Sequence, residues 1–319
     1  MRIKILLAVA LLFSCLFCAV TRAAEPTSLE PLISRSTRLM IFSPHPDDET
    51  LGAGGLIQRV LRAGGKVKVV FMTSGDGFQD GVELIDHTSH PTARDYNKYG
   101  QIRRLEALGA LTTLGMKTRD VIFLGFPDGG LSILRTKSCF HVDPYRSPFT
   151  RKLRPPKFEA LFPRADYCAR DLTDEIERVL FRFKPSLVVT TGPEDMHPDH
   201  NSTYYFLEQA LDRLMIKYPY LKPTVLTFVI HFNGWPVAEE ASSGDRLDPP
   251  PQFPDHGRKW ITFALTPREV AAKRRAILRY HSQMLLMNRF LLAFDKVDEL
   301  YMLDTGPAAA GAGFQMSSH

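Results

Sequence analysis

Five short runs of apolar and β-branched residues punctuate the chain, at 39–43, 67–73, 121–124, 187–191 and 224–232. Each has the length of a strand, and unbroken apolar character predicts burial on both faces. Between the runs the apolar period changes. In 49–63, Leu51, Leu56, Val60 and Leu61 share one side of a helix, and 97–114, 171–183 and 200–218 carry similar spacing. Strands alternating with helices predict an α/β fold, a mostly parallel sheet with helices on both faces. In such sheets ligands bind beyond the carboxyl ends of the strands. A further strand is expected at 260–265. A last helix should then run from Pro267, which suits a first turn, to about 288.

Two segments interrupt this alternation. Residues 132–168 are rich in Arg, Lys, Pro and aromatics, and 236–257 contain Pro249, Pro250, Pro251 and Pro254. Both read as surface excursions, a length of loop that is either functional or without fixed structure. The small, polar tail at 306–319 reads as disordered.

The first residues add a destination. Arg2 and Lys4 precede an apolar run at 5–20, and Thr21, Arg22, Ala23 and Ala24 follow it. A basic start, an apolar core too short to span a bilayer and small residues at a cleavage point predict a signal peptide over 1–23. One domain over 24–305 would then work in the periplasm or outside the cell, with no membrane span after cleavage. Cleavage also changes the charge. The chain carries 40 Lys+Arg against 35 Asp+Glu, and Arg2, Lys4 and Arg22 depart, leaving 37 against 35. That balance provides no basic face to demand nucleic acid. Cys15 and Cys18 leave too. Cys139 and Cys168 remain, as one disulfide or as two buried thiols, and sequence does not measure the distance between them. Nothing in the sequence fixes an oligomeric state.

The candidate chemistry sits where two strands end. The run 39–43 leads into Pro44, His45, Pro46, Asp47, Asp48 and Glu49, and a helix follows at once. The run 187–191 leads through Gly192 and Pro193 into Glu194, Asp195, Met196, His197, Pro198, Asp199 and His200, again before a helix. Alone, an Asp pair before a helix is usually a cap, and a loop histidine is usually solvated. Two matching clusters at two strand ends of one sheet speak against that reading. Together they offer imidazole and carboxylate donors suited to Zn2+, which in catalytic sites takes three protein ligands and leaves a position open. Gly52, Ala53, Gly54 and Gly55 are not a phosphate loop, because the His-carboxylate cluster occupies the strand-to-helix turn. They fall inside the predicted helix and would allow close packing on the sheet.

At these residues the sequence resembles the LmbE-like or PIG-L family of zinc-dependent N-deacetylases. His45 through Gly52 fits the family's first motif without a gap, and His197-Pro198-Asp199-His200 fits the second. Arg103 to Glu106 with Leu114-Gly115, Leu124 to Gly129, and Lys273 to Gln283 resemble further family segments, so the likeness covers roughly 38–290. The 132–168 excursion has no counterpart. The resemblance implies a Rossmann-like fold and one Zn2+ per chain, held by His45, Asp48 and His200, with Fe2+ or Co2+ as alternatives. It also implies Asp47 as general base, His197 as oxyanion stabiliser or amine-protonating acid, and Asp199 as the residue that orients a histidine. Arg103 and Asp128 match positions near the pocket that could bond sugar hydroxyls, or serve as an ion pair and a turn residue. His231 and Trp235 could form an aromatic platform for a sugar ring, or Trp235 could be core. The expectation is an exported deacetylase of an N-acetylated amino sugar in a polysaccharide, glycolipid or envelope glycan. An amidase for a non-sugar amide and a non-catalytic glycan-binding protein remain the alternatives.

Overall fold

A computed structural model describes residues 28–137, 142–157, 164–237 and 244–304. The expected signal peptide, the tail and Cys139 lie outside the described residues; Cys168 is disulfide-bonded. Seven strands form one sheet: β1 (Arg38–Ser43), β2 (Lys66–Thr73), β3 (Val121–Phe126), β4 (Leu187–Thr191), β5 (Thr224–Phe228), β6 (Trp260–Ala264) and β7 (Asp298–Leu303). Their order across the sheet is β3-β2-β1-β4-β5-β7-β6. The first five are parallel, while β7 runs antiparallel to both β5 and β6. The chain winds outward from β1 to β3, then returns to lay β4 on the other side of β1. This reversal opens a crevice at the carboxyl ends of β1 and β4, the place where open α/β sheets bind ligands.

Among the described residues, eight α-helices accompany the sheet: α1 (Asp48–Arg62), α2 (Gln79–Asp86), α3 (Ala93–Thr113), α4 (Leu131–Leu134), α5 (Ala169–Phe183), α6 (Pro198–Lys217), α7 (Pro267–Ile277) and α8 (His281–Leu292). The unbroken apolar runs supply two cores at once, because successive strand side chains point to opposite faces. Leu39 and Ile41 of β1 join α1, α3 and α7 in one core, whereas Met40 and Phe42 join α5 and α6 in the other.

Three elements differ from the sequence expectation. The expected strand 224–232 stops at Phe228, and β7 was not anticipated. β7 opens with Asp298 and Glu299, a poor strand signal; both are buried because Arg246 and Lys273 pair with them. The expected last helix is two, α7 and α8, separated at 278–280, where Tyr280 is fully buried.

Candidate active site

The crevice between β1 and β4 holds a cavity of about 330 Å³ lined by His45, Asp47, Asp48, Arg103, Asp128, His197 and His231. Apolar side chains, among them Phe78, Phe149 and Phe290, complete its walls. His45 and Asp47 stand in the turn between β1 and α1, and Asp48 opens that helix; His197 caps α6, with Pro198 at its first turn. The two predicted clusters therefore meet in space.

Two histidines are arranged alike. His45 points Nε2 at Asp128 Oδ1 (3.0 Å) and Asp199 Oδ2 (3.4 Å). His200 points Nδ1 at Asp195 Oδ2, 3.1 Å away. Each ring is thus anchored through one nitrogen and offers the other to a common centre. There, His45 Nδ1, Asp48 Oδ2 and His200 Nε2 form a triangle with edges of 3.1, 3.2 and 3.2 Å. Donor atoms around a tetrahedral Zn2+ at about 2.0–2.1 Å stand about 3.3–3.4 Å apart, so the set fits a small divalent cation. Donors within 4.8 Å of one another also group as His45, His197 and His200, as Asp48, His200 and His231, and as His45, Asp128 and Asp199. The carboxylates of these groups also accept from backbone amides, Asp48 Oδ2 from His45 N–H at 3.0 Å. Asp128 accepts from Gly77 N–H at 2.5 Å, and Asp199 accepts from Gly129 and Leu131 at 2.7 and 3.0 Å.

The electrostatics follow from this crowding. Burial opposes the charge on His45, but Asp128, Asp199 and Asp48 carry its pKa well above the usual imidazole range. Burial likewise opposes His200, while Asp195 and Asp48 raise it to about 9. Desolvation would raise Asp48, yet His200 and His45 hold it well below the carboxylate range. A cation in the triangle would take the place of these imidazole protons. His197 behaves in the opposite way: burial, with His45 and His200 beside it, lowers it to about 3. It is therefore neutral, and its Nδ1 accepts the Asp199 backbone N–H at 3.2 Å. That contact fixes the proton on Nε2.

Asp47 sits beside the centre with a φ of 131°, an uncommon backbone setting for a residue with a side chain. Burial raises its pKa to about 8, against the pull of Arg103. Arg103 Nη2 lies 3.2 Å from Asp47 Oδ2 and donates to Pro46 O at 2.6 Å, while Nη1 donates to Gly75 O at 3.0 Å. Arg103 and Asp128 both line the cavity, but their polar atoms serve mainly to hold Asp47 and His45. Trp235 is not brought to the site. It lies in the core, edge-on to Phe294 at 5.6 Å, and its indole N–H donates to Asp248 O at 2.8 Å. His231 does reach the cavity, stacked on Phe290 at 5.2 Å. Sequence reasoning gave no role to Asp195, whose Oδ2 also accepts the Ile230 and His231 amides at 2.8 and 3.1 Å. Its one signal was its place two residues before His197 in the second cluster.

A doubly wound α/β protein with a His-carboxylate cluster at its switch point is the class that this fold and site define. The sequence profile described as GlcNAc-PI de-N-acetylase matches residues 40–211, more than half of the chain, and the protein belongs to this PIG-L family. A 1D-myo-inositol 2-acetamido-2-deoxy-alpha-D-glucopyranoside deacetylase of Mycobacterium sp. (strain KMS) is 29% identical over 209 residues, 62% of this chain and 58% of that protein. The chain thus spans less than two thirds of that relative. A protein of the same name from Corynebacterium urealyticum is 26% identical over 263 residues, 77% of this chain and 71% of its own. Among solved structures, a deacetylase of the teicoplanin biosynthetic pathway superposes with a TM-score of 0.53 at 18% identity, covering 85% of this chain and 99% of its own. The 4-carboxy-2-hydroxymuconate hydratase GalB of Pseudomonas putida KT2440 superposes with a TM-score of 0.50 at 15% identity, covering 85% and 97%. A hydratase and a deacetylase share this fold, so the reaction must be argued from the site.

Proposed function

We propose that this protein is an exported, divalent-metal-dependent N-deacetylase that hydrolyses the acetamido group of an amino sugar in a glycan or glycolipid outside the cytoplasm. The observation that carries the reading is the open triangle of His45, Asp48 and His200 with Asp47 beside it. Held by those three residues, a cation such as Zn2+ would polarise an amide carbonyl and lower the pKa of water from about 15.7 to near 7.

The chain's own residues supply the rest. Asp47, whose proton affinity burial raises in the metal-free site, would be ionised beside a bound cation and takes the proton of the attacking water. Arg103 aims that carboxylate. His197 Nε2–H donates to the oxygen on which negative charge develops, a contribution of about 2.7–4 kcal/mol for one such donor. A neutral His197 has no proton to release at working pH. Protonation of the leaving amine as the C–N bond breaks therefore falls to Asp47, and the products are acetate and a free amino sugar. Phe149, from the excursion after β3, walls the cavity beside Gly129 and gives a sugar ring an apolar surface. The sugar identity is supported by the family and the named relatives, and the export by the sequence of residues 1–23.

The test measures acetate released from N-acetylglucosamine oligomers, together with bound metal, for the mature parent, Asp47→Ala and His200→Ala. Turnover should vanish in both variants while metal is lost mainly from His200→Ala. A metal-loaded parent that releases no acetate would refute the substrate class, and a parent that binds no divalent metal would refute the site.

A further inference from the structure

A second cavity in the described protein is larger than the one that holds the histidines. It measures about 670 Å³ and lies where β1 and β2 begin, the other end of the sheet from the active site. With six residues in β1 at about 3.3 Å each, the two cavities are separated by roughly 20 Å. Its lining contains Arg38, Lys66, Lys68, Lys117, Arg119 and Arg182 against the single carboxylate of Asp120. These give five net positive charges, equal to the formal net charge of the entire chain.

Two of the six cations are committed. Arg38 donates through Nε to Phe183 O at 2.7 Å, and Lys68 pairs with Asp120 at 3.2 Å. Lys66, Lys117, Arg119 and Arg182 have no ion pair, side-chain hydrogen bond or ring contact among the described residues. Basic residues at this end of a parallel sheet also answer the partial negative charge of helix carboxyl termini. That accounts for Arg38 and for Arg182, in the last turn of α5. It does not account for Lys66, at the start of β2, or for Lys117 and Arg119, in the connection before β3. Beneath these cations the floor is apolar, made by Leu61, Val67, Met116, Ile122, Val179 and Phe183.

We propose that this cavity is a second ligand site, for a phosphate ester carrying an apolar body. Like charges left unpaired around one concavity repel each other, and an anion there relieves the repulsion. Phosphate is favoured over a single carboxylate because several cations line the one cavity, and the planar guanidinium forks of Arg119 and Arg182 suit its oxygens. The floor asks for an alkyl or aryl group on the same molecule. Such a ligand could come free in solution or as a lipid headgroup.

Titration calorimetry on the mature protein with octyl phosphate tests the idea, beside inorganic phosphate and vesicles of neutral lipid containing phosphatidic acid. Saturable one-to-one binding of octyl phosphate, at least tenfold tighter than inorganic phosphate, supports a free ligand; binding of the vesicles alone supports a lipid headgroup. Lys117→Gln with Arg119→Gln should weaken either by tenfold or more, with thermal melting and bound metal unchanged. Three results would overturn the proposal: no binding of either probe, equal binding of inorganic phosphate, or unchanged affinity in the double variant. Lys117 and Arg119 lie at the other end of the sheet from the active site, so the loss of affinity in the double variant is independent of the reading given for that site.

Discussion

Asp47 is held in a backbone setting that costs on the order of 1–3 kcal/mol, and the surrounding contacts have to keep it there. Arg103 provides them, tying Asp47, Pro46 and Gly75 together. Gly75 has a φ of +63°, and a Cβ on it would lie 2.1 Å from Arg103 Nη1. Gly75→Ala should therefore displace the guanidinium and lower kcat at least tenfold while bound metal stays at the parent level. Turnover equal to the parent would show that the clamp is not needed. Asp195 acts on His200 instead. It holds Nδ1 so that Nε2 faces the centre, and outer carboxylates of this kind change metal affinity by about 10–100-fold. Asp195→Asn should lose metal to a competing chelator within that range, and parent-like retention would remove Asp195 from the site's machinery. The clusters themselves were legible from sequence, since both motifs stand at strand ends. The anchoring roles of Asp128 and Asp195 were not, because they depend on distances created only when strands far apart in sequence become neighbours.

Among the elements, α1 shows how the sheet and its helices constrain each other. The helix is interrupted at Ala53 (φ −143°, ψ 15°). Gly55 and Leu56 amides then donate to Glu299 of β7 at 2.7 and 3.1 Å, so the interruption leaves neither amide unsatisfied. The glycines read from sequence as packing residues do that work. A Cβ at Gly52 would fall 2.3 Å from the Phe228 ring, and one at Gly55 would fall 2.2 Å from Leu265. Lys273 completes the arrangement with a buried ion pair to Glu299 at 2.9 Å. Removing one partner of such a pair costs about 3–5 kcal/mol, because the other charge stays buried. Lys273→Met should lower the urea midpoint accordingly, and adding Glu299→Gln should restore part of the loss. A single variant as stable as the parent would show that the amides and the Tyr301 hydroxyl satisfy Glu299 without the lysine. The same pairing explains why β7 escaped sequence reading. Its acidic start resembles a surface loop until α7 supplies the lysine, whereas the all-apolar runs of β1, β2 and β4 needed no partner to be recognised.

Across the whole molecule, the buried charges tie stability to pH and to metal. In metal-free protein, His45 and His200 hold protons more tightly when folded, His200 up to about 9. Asp47 holds one up to about 8. Unfolded, these groups titrate at about 6.5 for His and 3.9 for Asp. From pH 6.5 to 9 the native state therefore binds more protons than the unfolded state, and stability should fall as pH rises. The carboxylates with lowered pKa do not oppose this fall. Asp48, Asp128 and Asp195 are ionised in both states throughout that window. His197 and His231, lowered by burial and neighbouring histidines to about 3 and 4, are neutral when folded; they oppose the fall near pH 6.5, where the unfolded imidazoles are half protonated, and this opposition is nearly gone by about pH 7.5. A divalent cation changes the balance, since it binds only to deprotonated imidazoles and its own stabilisation grows with pH. Denaturation midpoints at pH 6.5, 7.5 and 9 should fall steadily in chelator-treated protein. With Zn2+ added they should level off, so that the gap between the two series widens toward pH 9. Chelator-treated protein that holds or gains stability across this range would mean that His45 and His200 do not keep their protons in the fold, and that the carboxylates around them fail to shape the site as argued.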